Sequence, residues 1–331
     1  MKTIPYPTKI YAKLLQATLC LGLLVFANCS KDGGMDGGGS DGKITNLPGT
    51  IYYDWASEGI MRVHLATATG GAFIPDNTKL NSFDISRDGQ ERLTVMNEST
   101  LGDYPIRFTL SSMADNSVID EFVYRSPARN SYCKGFLSPD KSHIVILSND
   151  DEDGITIVKR NGEVVARLLD IDGEAFDLNE KRLWLPGNSL LITHKNYIIK
   201  VDPPYNNGTL VREMKYDDWG DLNVNNAGDQ MVVRIGNHLH TMDFQNGDPI
   251  KITESNFKEA EPYYSPDDKH ILVGSYYRQT GPFGYIWEMK IIPNDGKVYN
   301  VDPDATNTAG VIPIIWRNNK IETAGGQVLW R

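Results

Sequence analysis

The sequence predicts an all-β protein, a β-propeller of four-stranded blades standing behind an N-terminal secretion segment. Three observations predict it: a strand–turn–strand unit that recurs every 40 to 51 residues, an apolar stretch near the N-terminus that ends at a cysteine, and a Gly-rich run between the two. At 331 residues, with 40% hydrophobic and 23% charged side chains, the chain has enough apolar material for one continuous core, and propellers reach this size as a single domain.

The N-terminal segment comes first. Lys2, Lys9 and Lys13 precede an apolar run from Leu14 to Ala27 that is broken only by Gln16 and Thr18. A basic start followed by a short apolar stretch is the pattern of a secretory signal, and the run is shorter than the ~20 apolar residues of a membrane-spanning helix. Leu24-Val25-Phe26-Ala27-Asn28-Cys29 resembles a bacterial lipobox, which implies cleavage after residue 28 and acylation of Cys29 as the lipid anchor. Ser30-Lys31-Asp32 resembles the short signal that sends some Gram-negative lipoproteins to the outer face of the outer membrane. The expected address is therefore the outer membrane, lipid-anchored and facing the cell surface, with the periplasmic face as the alternative. Residues 33–42 read GGMDGGGSDG, a composition that behaves as flexible coil. The domain map is thus 1–28 signal peptide, 29–43 lipidated cysteine and tether, and 44–331 propeller.

The repeats follow. Gly135-Phe136-Leu137-Ser138-Pro139-Asp140-Lys141 leads into His143 to Leu147, and Pro262-Tyr263-Tyr264-Ser265-Pro266-Asp267-Asp268 leads into His270 to Val273. Ser82 to Gln90 is a third copy, and looser ones centre on Gly187, Gly228 and Asn318, with Leu47-Pro48-Gly49 mirroring the Gly187 copy. Pro presets φ for a turn, Ser and Asp bond back to the backbone, and Gly or Asp tolerates the left-handed position that reverses the chain. The Ile/Val/Leu run after each turn suits a strand buried between two neighbouring sheets. Seven turns predict seven blades, with six as the alternative because the first copy lacks a long inner strand and the last leaves little room for an outer one. Lys43 to Leu47 is the candidate to close the ring as the outer strand of the last blade.

These copies resemble the repeat of TolB-type propellers, in which an apolar inner strand ends in Ser-Pro-Asp-Gly and is followed by a Lys and a β-branched strand. His238 to Phe244 with the turn Gln245-Asn246-Gly247-Asp248 resembles the third strand of such a repeat. The resemblance spans nearly all of residues 45–331 and implies a TolB-like fold. It implies little about activity, because propellers host unrelated functions.

The residues that open each inner strand are the candidates for chemistry, since these gather at one mouth of a propeller. They give a candidate ligand-binding set of Asn81, Tyr132, Glu174, Asp218, Trp219, Glu259 and Glu261, a mixture of aromatics and carboxylates that suits sugar faces and hydroxyls, or a divalent cation. His238 and His240 lie two apart on one strand face, with no third ligand nearby. The acidic loop Asn149 to Gly154 and the segment Asp170 to Glu174 lack the spacing of an EF-hand. Cys133 is the one cysteine left in the mature domain once Cys20 departs with the signal and Cys29 is acylated, and it reads as a buried strand residue. The chain carries no familiar hydrolase or phosphate-binding motif, so no cofactor or catalytic residue is implied. Net charge is −10, and loss of residues 1–28, with three lysines and no acid, leaves −13. Such a charge repels phosphate backbones, which sets nucleic acid aside. The expectation is an envelope lipoprotein with a propeller that binds a glycan or an envelope protein, the alternative being a propeller lyase or hydrolase acting on polysaccharide.

Overall fold

In the computed structural model, residues 46–331 are described except for 56–57, 100–103, 149–152, 177–179, 282–283, 306–307 and 318–319. The signal segment, Cys29 and the tether lie outside the described residues, as does most of the acidic loop that begins at Asn149. Among the described residues no helix is long and apolar enough to cross a membrane.

The described chain is all-β and forms six blades. Blade 2 comprises Leu80–Ile85, Glu91–Asn97, Pro105–Ser112 and Val118–Arg125, each antiparallel to the next. Blade 3 follows with Cys133–Leu137, His143–Ser148, Ile155–Lys159 and Val164–Leu168. Blade 4 has Arg182–Trp184, Leu190–His194, Tyr197–Val201 and Gly208–Glu213, and blade 5 has Trp219–Val224, Gln230–Ile235, His238–Asp243 and Ile250–Lys251. Blade 6 starts at Ala260–Tyr264 and continues through the long hairpin His270–Gln279 and Tyr285–Pro293 to Ile312–Pro313.

Blade 1 corrects the seven-blade expectation. Its outer three strands are Thr50–Trp55, Gly59–His64 and Thr69–Ile74, while its innermost strand, Val328–Trp330, comes from the other end of the chain. Ile51 faces Trp330 and Tyr53 faces Val328 across this seam. The turn at Gly49 therefore opens the second strand of a blade rather than following an inner one. The copy centred on Asn318 opens no seventh blade: Ile314 packs in the core between blades 6 and 1, and Thr323–Ala324 pairs with the third strand of blade 6. Closure is also the reverse of the expected one: an inner strand from the C-terminal side completes blade 1, and Leu47 packs in the core beside Trp330 instead of forming an outer strand. Two apparent half-repeats at the ends sum to one blade, leaving six.

The core confirms that count independently, because the buried apolar residues fall into six clusters, one for each interface between neighbouring blades. Successive side chains of a strand point to opposite faces, so one strand feeds two interfaces. Ile144 and Ile146 pack toward blade 2 while Val145 packs toward blade 4. Leu190 and Ile192 face blade 3, and Leu191 faces blade 5. This is why the second strands read as unbroken apolar runs.

The turns behave as their sequence requires. In blade 3 the Ser138 hydroxyl donates to Asp140 (2.7 Å) and accepts from the His143 amide (2.9 Å). Ser265 does the same with Asp267 and His270, and Ser86 with Asp88 and Glu91. Asn225 replaces the serine in blade 5, where its side-chain oxygen accepts the amides of Gly228, Asp229 and Gln230. The fourth turn position is left-handed throughout, at Gly89, Lys141, Gly228 and Asp268.

Candidate functional site

The inner strands run in one direction around a central channel, so their first residues gather at one mouth and their last residues at the other. The channel encloses a cavity of about 940 Å³.

At the strand-end mouth the wall is knitted shut. Buried Asp84 accepts the Leu137 amide of the next blade (2.8 Å), and Ser82 accepts that of Gly135 (3.0 Å). Arg331 donates to the Ile85 carbonyl (2.7 Å) and to the Tyr263 hydroxyl, and approaches Asp84 at 3.4 Å, so it joins blades 1, 2 and 6. Arg87 crosses from blade 2 to the Trp184 carbonyl of blade 4 (2.9 Å). Burial raises the Asp84 carboxyl above its ordinary range, opposed by Arg331 and by the Leu137 and Ile85 amides.

The strand-start mouth is built differently. The inner strands of blades 5 and 6 each slip register near their start, between Gly220 and Asn223 and between Ala260 and Tyr263. The residues inside these bulges, Asp221 and Glu261, have φ of 46° and 45° and both line the channel. A bulge re-aims a side chain, and left-handed backbone at a non-glycine residue is strained, so two carboxylates are turned inward at equivalent places in adjacent blades. Each meets a cation: Glu261 accepts from Lys181 (3.1 Å), and Asp221 from Arg234 (2.8 Å), which also reaches Asp218. Enclosure would lower the Lys181 amine, but Glu261 and Asp221 hold it above its ordinary value.

Cations outnumber these acids. Arg87, Lys134, Lys181, Arg182, Lys195, Arg234, Lys258 and Arg331 line the cavity, against Asp84, Glu180, Asp221 and Glu261. In a chain whose net charge is −10, the channel is thus locally cationic. Each lining carboxylate already has a basic partner: Asp84 has Arg331, Glu180 has Arg182 and His194, and Asp221 and Glu261 are paired as above. Lys134 makes no side-chain hydrogen bond or ion pair with any described residue, and neither does the indole N–H of Trp219. Enclosure, and then the neighbouring Lys181, lower the Lys134 amine below its ordinary value. Lys258 lies over the Tyr277 ring at 5.4 Å.

Of the seven residues expected at the mouth, Trp219 and Glu261 line the channel. Asp218 stands at the rim, tied to Arg234. Asn81 donates to the Ser131 carbonyl (2.9 Å), which joins blade 2 to the approach to blade 3. Tyr132 is 37% exposed in that same approach. Glu174 sits on an exposed hairpin and pairs with Lys195. Glu259 is fully buried: it accepts from Ser255 (2.5 Å), Thr253 (3.1 Å) and His238 (2.9 Å), and burial lifts its carboxyl above the usual range against those bonds. His240 turns its ring to the His238 carbonyl (3.1 Å). Among the described residues no three His, Cys, Asp or Glu are placed to share a metal ion. Cys133 is buried in the inner strand of blade 3, and burial, reinforced by Asp153, pushes its thiol up to about 12. Tyr277, in the long hairpin, stacks between Tyr285 and Trp287 (5.1 and 5.9 Å) and so packs on its own blade.

No family model matches the chain, and no curated protein sequence does. Among solved structures, TolB from Acinetobacter baumannii is similar, with 13% identity and a TM-score of 0.56 over 85% of this chain, which spans 66% of the length of that one. A chain of the nidogen/laminin complex is similar at 12% identity and TM-score 0.50, covering 74% of this chain and 89% of that chain. Oligogalacturonate lyase from Vibrio parahaemolyticus gives 14% identity and TM-score 0.48, over 68% and 71% of the two chains. At such identities the likeness is one of architecture. Taken with the six interfaces and the Ser-capped turns, it makes the described chain a six-bladed β-propeller of TolB-like fold.

Proposed function

We propose that the protein is a cell-envelope lipoprotein whose propeller binds a ligand at the strand-start mouth of its channel. In this reading Cys29 carries the lipid and residues 29–43 tether the domain to it. The observation that carries the binding role is the contrast inside one cavity. Its strand-end side is filled with satisfied bonds, whereas its strand-start side holds Lys134 and Trp219, two donors without a partner among the described residues. Lys134 is exposed to the channel and Trp219 is half-exposed, so both donors are open to a ligand and no bond within the protein has to break for them to receive one. The volume also suits this role, since small-molecule sites occupy ~300–1,000 Å³.

A thermal-shift screen of the whole chain against neutral and charged mono- and disaccharides and short peptides tests the reading, because a ligand that binds only the folded state raises the melting temperature. The expected result is a dose-dependent rise that Trp219→Ala removes. A rise that survives Trp219→Ala places binding elsewhere and defeats the assignment to this mouth. Protease treatment of intact cells tests the address: cleavage supports the surface, and protection that ends on outer-membrane permeabilisation supports the periplasmic face.

A further inference from the structure

Resting on that reading of the channel as a ligand site, we infer that its ligand is a small organic carboxylate, received by Lys134 beside Lys181 with the Trp219 ring and N–H at its flank. The first support is the sign of the charge. The cavity lining carries eight basic and four acidic residues, inside a chain with the opposite excess. Low-dielectric walls lined by one sign of charge concentrate the opposite ion.

The second support is which groups stand uncommitted. Every lining carboxylate has a basic partner within 3.6 Å, so the acids offer a cation little. Lys134 and Lys258 have no carboxylate partner among the described residues. The Lys134 ammonium and the Trp219 N–H at this mouth are unengaged donors, and donors call for a ligand rich in acceptor oxygens. A charge-assisted bond to an ammonium is about twice as strong as a neutral one.

The third support selects among anions. The Trp219 ring lines the same cavity as Lys134 and Lys181, and an aromatic face adds apolar contact to an organic frame. Inorganic phosphate has no such frame. A carboxylate on a small organic frame can engage the ammonium and the indole together.

The test is isothermal titration of the whole chain, at low salt and at 0.5 M NaCl, with glucuronate, lactate, glucose and inorganic phosphate as probes. The expected result is binding of glucuronate or lactate with at least tenfold weaker binding of glucose and phosphate, and weakening in salt. Lys134→Gln is expected to lower carboxylate affinity at least tenfold, while Lys297→Gln, at an exposed lysine paired with Asp295 and outside the cavity lining, changes it less than threefold. The two carboxylates separate a sugar acid from an open-chain acid. Glucose binding as tightly as glucuronate overturns the inference and leaves the ligand site standing. Phosphate binding tighter than both carboxylates also overturns the choice of anion. Carboxylate binding unchanged in a Lys134→Gln protein that melts like the parent moves the contact elsewhere and overturns it. No heat with any probe, repeated in the broader thermal-shift screen, removes the site itself.

Discussion

The two ends of the channel are made from the same six strands and solve opposite problems. At the strand-end mouth, turns of four residues cap themselves and then cap their neighbours: Lys141 of blade 3 reaches Asp88 (2.7 Å) and Glu91 (3.1 Å) of blade 2, and Asn226 of blade 5 donates to Asp268 of blade 6 (2.8 Å). At the strand-start mouth the strands bulge, carboxylates stand on left-handed backbone, and one amine faces the cavity without an acceptor. The difference shows that closure and access can be divided between the faces of one ring. Stability is concentrated where the sequence repeats, and chemistry collects where it does not.

Mutations can break this comparison. The largest effect is expected from Asp84→Ala, which strips the Leu137 amide of its acceptor and leaves Arg331 without its carboxylate. Breaking a buried, hydrogen-bonded charge pair costs ~3–5 kcal/mol, read as a lower urea midpoint at unchanged slope. If Asp84→Ala costs no more than a mouth mutation, the strand-end face is not the keystone described here. Next come Ser138→Ala and Ser265→Ala. Each removes the two turn hydrogen bonds of one hydroxyl, worth about 1 kcal/mol apiece, and the two mutations should add because they sit in different blades; a double mutant no worse than either single one would contradict this.

Acid sharpens the comparison further. Partial burial raises Asp88, but bonds from Lys141, Ser86 and the Gln90 amide outweigh it and hold the carboxyl at about 2. Bonds from Ser142 and Ser138 likewise hold Asp140 at about 2 against its partial burial. Both lie below the unfolded aspartate value of ~3.9. Their stabilisation is therefore complete above about pH 4 and disappears as pH falls through about 2. The stability difference between the parent and Asp88→Asn/Asp140→Asn should stay flat from pH 7 to 5 and shrink from pH 4 downward. A difference that grows on acidification would reverse the assignment. The smallest effect is expected at the other end: Lys134→Met should shift stability by at most about 0.5 kcal/mol, since no intramolecular bond is lost. A loss above 2 kcal/mol would mean that Lys134 is structural.

This division also explains what the sequence made legible. The Ser-Pro-Asp turns declare themselves within seven residues, because every atom that caps them is local, and from them the propeller and its blade rhythm follow. Blade number was harder. Gly49 and the segment after Ile314 each look like half of a repeat, and only the pairing of Val328–Trp330 with Thr50–Trp55 reveals that blade 1 is completed from both ends. The channel was the least legible part. The opening residues of the inner strands point to Trp219 and Glu261, but bulges in blades 5 and 6 carry the inward position on to Asp221 and Glu261, and no sequence pattern marks Asp221, Lys181 or Lys258. Lys134 did leave a signal. It lies between Cys133 and Gly135, both buried against blade 2, so strand alternation turns it the other way, toward blade 4 and Lys181.

The seam in blade 1 carries a consequence in time. Trp330 donates to the Pro48 carbonyl across 282 residues of chain, so blade 1 cannot be completed until residues 328–330 have been delivered. Until then Thr50–Trp55 is a sheet edge with its inner side unpaired, the condition that invites a foreign strand. A molecule caught at that stage can accept residues 328–330 from a neighbour through the same hydrogen bonds, in competition with its own segment, which the tether of the chain favours in dilution. Swapped dimers, trapped when many chains fold together at high concentration and absent when they fold in dilution, are the misassembly this architecture makes available.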